Sequence, residues 1–369
     1  MGRIAINVRF LLPDKMEGFG WYTYEVVKRL VENHPEQEFV LFFDRPYDSK
    51  FIFGKNVIPV VLRPPARHPI LFILWFEFAV YRALKKHKVT LFFSPDGYLS
   101  LRSKVPQIGV IHDLNFEHFP KDIPLVPRIY LRYFFPKFAK KAKHIITVSE
   151  TSKKDIVKTY GIDASKIDVA WNGVSNNYQP ISNTEKEKYQ SKYTNGKPFF
   201  LFVGSLHPRK NVKRLIEAFQ QYRLNNKELD LVIVGKEMWT DQVSKHTNNS
   251  IHFTGHLHAD ELSKLMAAAT IFTFVPYFEG FGLPLVEAMK SGVPVLSGNL
   301  SCLPEIGGDA VLYCDPMSVE DVASKMTELA VNKELRTQLI TKGIERAQLF
   351  SWDTSAQIVW DVLSKMEQN

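Results

Sequence analysis

Two glutamates eight positions apart, Glu279 and Glu287, enclose the run Gly280-Phe281-Gly282-Leu283-Pro284. Glycines at 280 and 282 let the backbone come close to a ligand. Pro284 suits the first turn of a helix, where its missing N–H would be unpaired anyway. The pattern predicts a buried strand over 271–275, a tight turn over 279–282, a helix opening at Leu283 and another strand from 293. First-turn amides backed by the helix dipole make an anion cradle. With a carboxylate on either side, that cradle suits a ligand carrying phosphate in its middle and hydroxyls at both ends, as a nucleotide-sugar does. A Gly-rich turn before a helix is more often simple packing, so the reading depends on what the rest of the chain supplies.

Glu279-x7-Glu287 with G-F-G-L-P between the carboxylates resembles the retaining glycosyltransferases of the GT-B fold, the large family 4 that includes many bacterial mannosyl- and glucosyltransferases. The likeness covers nearly the whole chain and is strongest over 199–316. It implies an α/β protein of two Rossmann-like, doubly wound domains facing each other across a cleft. It also implies transfer of a hexose, mannose or glucose, from a GDP- or UDP-sugar to a glycan or lipid-linked acceptor in cell-surface polysaccharide synthesis.

Site roles carry over position by position. Glu279 would hold hydroxyls of the transferred sugar and Glu287 the ribose, with the backbone of Gly280, Phe281, Gly282 and Leu283 lining the phosphate cradle. His112, in Ile111-His112-Asp113-Leu114 at a strand end, would lie near the sugar from the facing domain. Gly18 and Gly20 match a short Gly-rich loop over the donor phosphates, and the loop at Gly255-His256-Leu257 would meet the base through Leu257. Lys210 matches the family's diphosphate-binding lysine. The family's arginine is replaced by Ser205, and Arg209 is the stand-in for its charge. No Asp-x-Asp pair of the metal-using kind stands out, so no metal and no cofactor are expected. The leaving diphosphate, not a protein nucleophile, would take the acceptor's proton.

The chain's 369 residues, 45% hydrophobic and 23% charged, suffice for two domains with separate cores. Two cysteines, Cys302 and Cys314, are too few for a disulfide scaffold and lack metal-ligand spacing, which favours a reducing compartment. The N-terminus enters a strand at once with neither a signal-peptide pattern nor a myristoylation pattern, so a cytoplasmic protein is expected. A net charge of +8 suits phosphorylated substrates or an anionic membrane surface. Nucleic acid is not expected as a partner, because no zinc-finger or RNP-type signature accompanies the charge.

The elements needed to position these residues can be read in order. Short apolar runs at 3–9, 38–43, 57–62, 89–94, 107–112, 144–149 and 167–171 read as strands of a first doubly wound domain. Residues 13–20 read as a loop holding Gly18 and Gly20, and 21–31 as a helix. In the apolar-then-basic stretch 68–88 the uninterrupted apolar run, Pro69 to Phe76, is far shorter than the roughly 20 residues a span requires; the stretch reads as a core helix, with an interfacial membrane helix as the rival. The aromatic and basic stretch 121–143 is a second candidate for contact with acceptor or with the inner face of the plasma membrane.

Asn172-Gly173-Val174 and the polar stretch 175–196 read as the interdomain linker, dividing the chain into 1–175 and 176–351. A final helix over 352–369 is expected to join the first domain. Strands at 198–203, 230–235, 251–253 and 271–275 build the second. Three rivals remain: a GT-B sugar-nucleotide epimerase or hydrolase, a non-catalytic nucleotide-sugar binder, and a dinucleotide oxidoreductase. The last would need G-x-G-x-x-G directly after the first strand, which this chain lacks.

Overall fold

A computed structural model of the chain describes residues 2–13, 16, 18–236 and 249–368. It divides into two compact units, Met1–Gly173 with Ser351–Asn369, and Val174–Phe350. In the first unit seven strands are β1 (Arg3–Asn7), β2 (Phe39–Phe43), β3 (Val57–Val61), β4 (Val89–Ser94), β5 (Gln107–Val110), β6 (His144–Thr147) and β7 (Ile167–Val169). They form a parallel sheet in the order β3-β2-β1-β4-β5-β6-β7. In the second unit β8 (Phe199–Val203), β9 (Asp230–Val234), β10 (Ile251–Gly255), β11 (Ile271–Phe274), β12 (Val295–Gly298) and β13 (Leu312–Cys314) form another, ordered β10-β9-β8-β11-β12-β13.

Central strands such as FVLFF in β2 and FFLFV in β8 are buried along their whole length, as strands covered on both faces must be. Edge strand β3 is only partly buried and carries Pro59, whose missing N–H costs nothing on an open edge. The two sheets share one feature that matters for ligands. Chain order reverses between β1 and β4 in the first and between β8 and β11 in the second, and such a reversal leaves a crevice beyond the carboxyl ends of the strands.

Several elements differ from the sequence expectation. Gly18 and Gly20 are not in a loop; the helix Gly18–Asn33 begins with them. Gly20 has a packing reason for being glycine, since a Cβ there would stand 2.8 Å from the carbonyl oxygen of Phe10. The polar stretch 175–196 is not all linker, because it contains the helix Asn183–Thr194. Ser182 caps that helix by accepting from the Glu185 N–H, and Asn195 ends it in the left-handed conformation. Only Thr194 of this helix is buried, so its signal lay in its caps and not in an apolar period.

Residues Pro69–Lys86 make one helical run with a π turn over Trp75–Val80. It is a core helix on one side, where Trp75, Phe76, Val80 and Leu84 are buried, yet Ile70, Leu74 and Phe78 lie exposed. The helix Trp352–Gln368 packs its buried Trp352, Ala356, Val359 and Leu363 within the first unit, with Trp352 against Tyr22 and Trp360 stacked on His34. No helix among the described residues is long and apolar enough to cross a membrane.

Candidate active site

The second unit's chain reversal gathers the chemistry. Beyond β8 the chain passes Gly204 and Ser205 into a short 3-10 turn, Pro208–Lys210, capped by His207 Nδ1 accepting from the Arg209 N–H at 3.2 Å. Asn211 follows in the left-handed conformation. Its amide donates to the carbonyls of Val275 (3.0 Å) and Pro316 (2.7 Å), so the cation-bearing turn is pinned to the end of β11. The Tyr277 N–H donates to the Arg209 carbonyl at 3.1 Å and draws the two loops together.

At their junction Arg209 donates to Glu279 Oε2 at 2.7 Å and to the Phe278 carbonyl at 3.1 Å. The Lys210 ammonium donates to the same Oε2 and lies 4.9 Å from the centre of the Phe274 ring. Burial by itself would push the Glu279 carboxyl upward; the charges of Arg209 and Lys210 outweigh it and hold Glu279 below its ordinary value. Glu279 is therefore a fixed carboxylate. Both cations bind one oxygen, and among the described residues none donates to Oε1.

Gly282 stands at φ +89°, a backbone conformation that favours glycine, and a Cβ there would also press on Leu303 Cδ2 at 2.8 Å. It opens the helix Leu283–Lys290, with Pro284 in the first turn and Leu285, Val286, Ala288 and Met289 buried. Phe281 is buried edge-on against Phe350, 5.6 Å between ring centres, which leaves its backbone as the part that can meet a ligand. Further along the helix, burial raises Glu287 to about 7, while a hydrogen bond from the Tyr178 hydroxyl partly opposes the rise. Leu257 lies two residues past β10, whose final Gly255 is left-handed at φ +71°.

In the first unit His112 lies two residues past the end of β5. Its Nε2 is 2.8 Å from the Pro95 carbonyl, which can only accept, so Nε2 carries a proton. Burial pushes the imidazole below its ordinary value, leaving Nδ1 as the acceptor of the neutral ring. Phe19 and Tyr22 hold the ring edge-on at 4.8 and 4.7 Å.

The structure thus gathers Glu279, Gly280, Phe281, Gly282, Leu283, Arg209 and Lys210 at one chain reversal. Gly18 and Gly20 are the first residues of a helix in the other unit. Sequence reading missed Tyr178, hidden in what looked like linker; Asn211, whose side chain ties the two loops; and Ser301 with Cys302, which grip the backbone of Glu279. The turn-forming Asn after a basic pair and the small polar Ser after a strand were the available signals.

Comparison with known proteins agrees with this architecture. Residues 183–346 match the family described as Glycosyl transferases group 1, and residues 16–177 match Glycosyltransferase Family 4. O-antigen chain mannosyltransferase B of Escherichia coli is 28% identical over 365 residues, covering 92% of this chain and 93% of its own length. Among solved structures, HepE of Anabaena, determined with UDP and glucose, superposes with a TM-score of 0.77 at 18% identity over 99% of this chain and 100% of its own. A glycosyltransferase from Rickettsia africae gives 0.73 at 17% over 100% and 99%. The chain belongs, by its first half and its second, to the GT-B glycosyltransferases of family 4 and group 1.

Proposed function

We propose that the protein is a retaining, metal-independent hexosyltransferase that moves mannose from GDP-mannose, or glucose from UDP-glucose, onto a lipid-linked or growing cell-surface glycan. The observation that carries the reading is the state of Glu279: Oε2 clamped by two cations, Oε1 left for a sugar hydroxyl, and a helix N-terminus immediately after it. The kind of sugar is argued from the Escherichia coli relative, a mannosyltransferase.

First-turn amides of Leu283–Lys290, with Lys210 and Arg209, would bind the diphosphate and stabilise the charge that grows on it as it leaves. The anomeric C–O bond to phosphate breaks, the acceptor oxygen bonds to the same face of that carbon, and the acceptor's proton passes to a departing phosphate oxygen. Glu279 orients the sugar through hydroxyls and forms no covalent bond, and Glu287 accepts from the ribose. A product whose anomeric configuration, read by NMR, matches the donor's is expected, with turnover unchanged by EDTA. An inverted product, or activity lost to chelator and restored by manganese, would overturn it.

The acceptor's setting is argued from two apolar ridges in the first unit. Ile70, Leu74 and Phe78 lie exposed along one helix; Leu125, Val126, Ile129 and Tyr133 lie exposed along Leu125–Lys141. Arg128, Arg132, Lys137, Lys140 and Lys141 stand on the same second helix. Such surfaces suit the cytosolic face of an anionic membrane. The protein should sediment with vesicles containing phosphatidylglycerol at low salt and be released by high salt; failure to sediment would remove the membrane from the reading.

A further inference from the structure

We propose that Ser301 is a positioning residue for the transfer step, holding the backbone of Glu279 so that the open carboxylate oxygen faces the sugar. The proposal rests on the reading of Glu279 given above. Ser301 belongs to the loop that follows β12, and its φ of +59° puts it in the left-handed region that favours glycine. From there its hydroxyl serves both backbone groups of Glu279: it donates to the carbonyl at 2.5 Å and accepts from the N–H at 3.3 Å. The thiol of the fully buried Cys302 donates to the same carbonyl at 3.2 Å. The next residue, Leu303, lies under Gly282, at the far end of the turn. Three consecutive residues, Ser301 and Cys302 at the end of that loop and Leu303 opening the short helix Leu303–Gly307, therefore mould both ends of the turn that carries Glu279.

The consequence is geometric. Glu279 sits outside any helix or strand, so no ladder fixes its peptide groups, and a hydroxyl placed by an unfavourable φ takes over that task. Arg209 and Lys210 tether Oε2 only. Without the Ser301 hydroxyl, among the described residues only the weak thiol bond of Cys302 holds the Glu279 backbone, and the side chain can pivot about the tethered oxygen and swing Oε1 away from the sugar, while the helix amides that bind phosphate stay where they are. Loss of the hydroxyl should therefore harm the chemical step far more than donor binding.

Two substitutions separate this from a merely structural role. Ser301→Gly removes the hydroxyl and relieves the left-handed strain; Ser301→Ala removes the hydroxyl and keeps the strain. The full-length protein and Glu279→Gln would be assayed beside them, with GDP-mannose and UDP-glucose as donors and release of free hexose to water as readout. Both Ser301 variants should lose kcat on the order of 10- to 100-fold, with donor KM within about twofold of wild type. Ser301→Gly should nevertheless melt above Ser301→Ala.

Activity that follows the hydroxyl while the melting temperature follows the strain supports positioning. Turnover that tracks melting temperature across the pair, or wild-type kcat in either variant, overturns it. If Glu279→Gln loses turnover while Ser301→Gly keeps it, only the Ser301 proposal fails. If Glu279→Gln itself keeps turnover, or the wild-type protein turns over neither donor, the reading of Glu279 fails first and takes the proposal with it.

Discussion

Both sheets place a cation after the first of two central strands and a carboxylate after its neighbour, where chain order reverses, and they satisfy the pair to different degrees. In the first unit Arg9 follows β1 and Asp96 follows β4, joined at 2.6 Å with side chains only 3% and 2% exposed. Asn7, Ser94 and the Tyr98 N–H also donate to Asp96, and the Arg9 guanidinium lies within 4.3 to 5.5 Å of the ring centres of Tyr98, Phe10, Phe72 and Phe76. Every polar atom of that carboxylate is occupied. In the second unit Arg209 and Lys210 follow β8 and Glu279 follows β11, with side chains 20%, 8% and 12% exposed and one oxygen of the carboxylate without a protein donor among the described residues. The difference teaches that the same place at a chain reversal can close a charge pair within the fold or, as in the role proposed for Glu279, keep a carboxylate oxygen open to a ligand.

The largest effect expected from this contrast is on stability. Asp96→Ala would leave Arg9 buried with no carboxylate, at a cost of about 3–5 kcal/mol, seen as a lower urea midpoint. Turnover per folded molecule should stay close to wild type. A paired apolar replacement, Arg9→Met with Asp96→Leu, should recover much of the loss, because the pair's own desolvation penalty goes with it. Collapse of turnover in a protein of normal stability would erase the contrast and make Arg9 and Asp96 part of the reaction.

Glu279→Gln should act first on turnover, which falls on the order of 100-fold, roughly 2.7 kcal/mol in the barrier, while nucleotide binding persists; the urea midpoint should also fall, because Arg209 and Lys210 lose their counter-charge, but by less than in Asp96→Ala, whose cation is more deeply buried. A glycosyl ester trapped on Glu279 would contradict the positioning role. Lys210→Ala comes next. Losing one charge-assisted hydrogen bond to the diphosphate should weaken nucleoside-diphosphate binding by about tenfold, and Arg209→Ala, at a more exposed cation, by less. Wild-type affinity in Lys210→Ala, measured by calorimetry, would take that lysine out of the phosphate site.

The turn at 279–282 and the helix after it were legible because their signals are local: glycines, a first-turn proline and two carboxylates all fall within a few residues. Both sheets were legible for a similar reason, since doubly covered strands such as β2 and β8 are uninterrupted apolar runs. What escaped depends on distant partners. Nothing beside Arg9 in the sequence foretells Asp96, because their pairing follows from strand order. Ser301 and Cys302 look like filler until β12 brings them under Glu279. Tyr178 read as linker because the residues around it are polar, although its own ring is buried. The helix start at Gly18 was misplaced because glycine in a first turn mimics a loop, and only the Phe10 carbonyl explains it.

The smallest effect expected separates the two carboxylates, Glu279 in the turn and Glu287 in the helix that follows it. Glu279 is held low by its cations, whereas burial raises Glu287 to about 7. A carboxyl raised above its ordinary 4.5 binds its proton more tightly in the folded state, so it contributes stability that is complete below 4.5 and lost as pH rises through about 7. Glu287→Gln should lack that decline and be the more stable form above neutrality. Donor binding should run the other way. If the ribose hydroxyls donate to Glu287, the ionised form is the better acceptor, and affinity for GDP-mannose should rise about fivefold between about pH 6 and pH 8. The diphosphate of a nucleotide-sugar is esterified at both ends and does not itself titrate there, which isolates the protein group. The slope should vanish in Glu287→Gln and persist in Glu279→Gln. A pH-independent affinity in the wild-type protein, or a slope that survives loss of Glu287, would remove Glu287 from the ribose site and leave Glu279 as the one carboxylate of the pair with a proposed role.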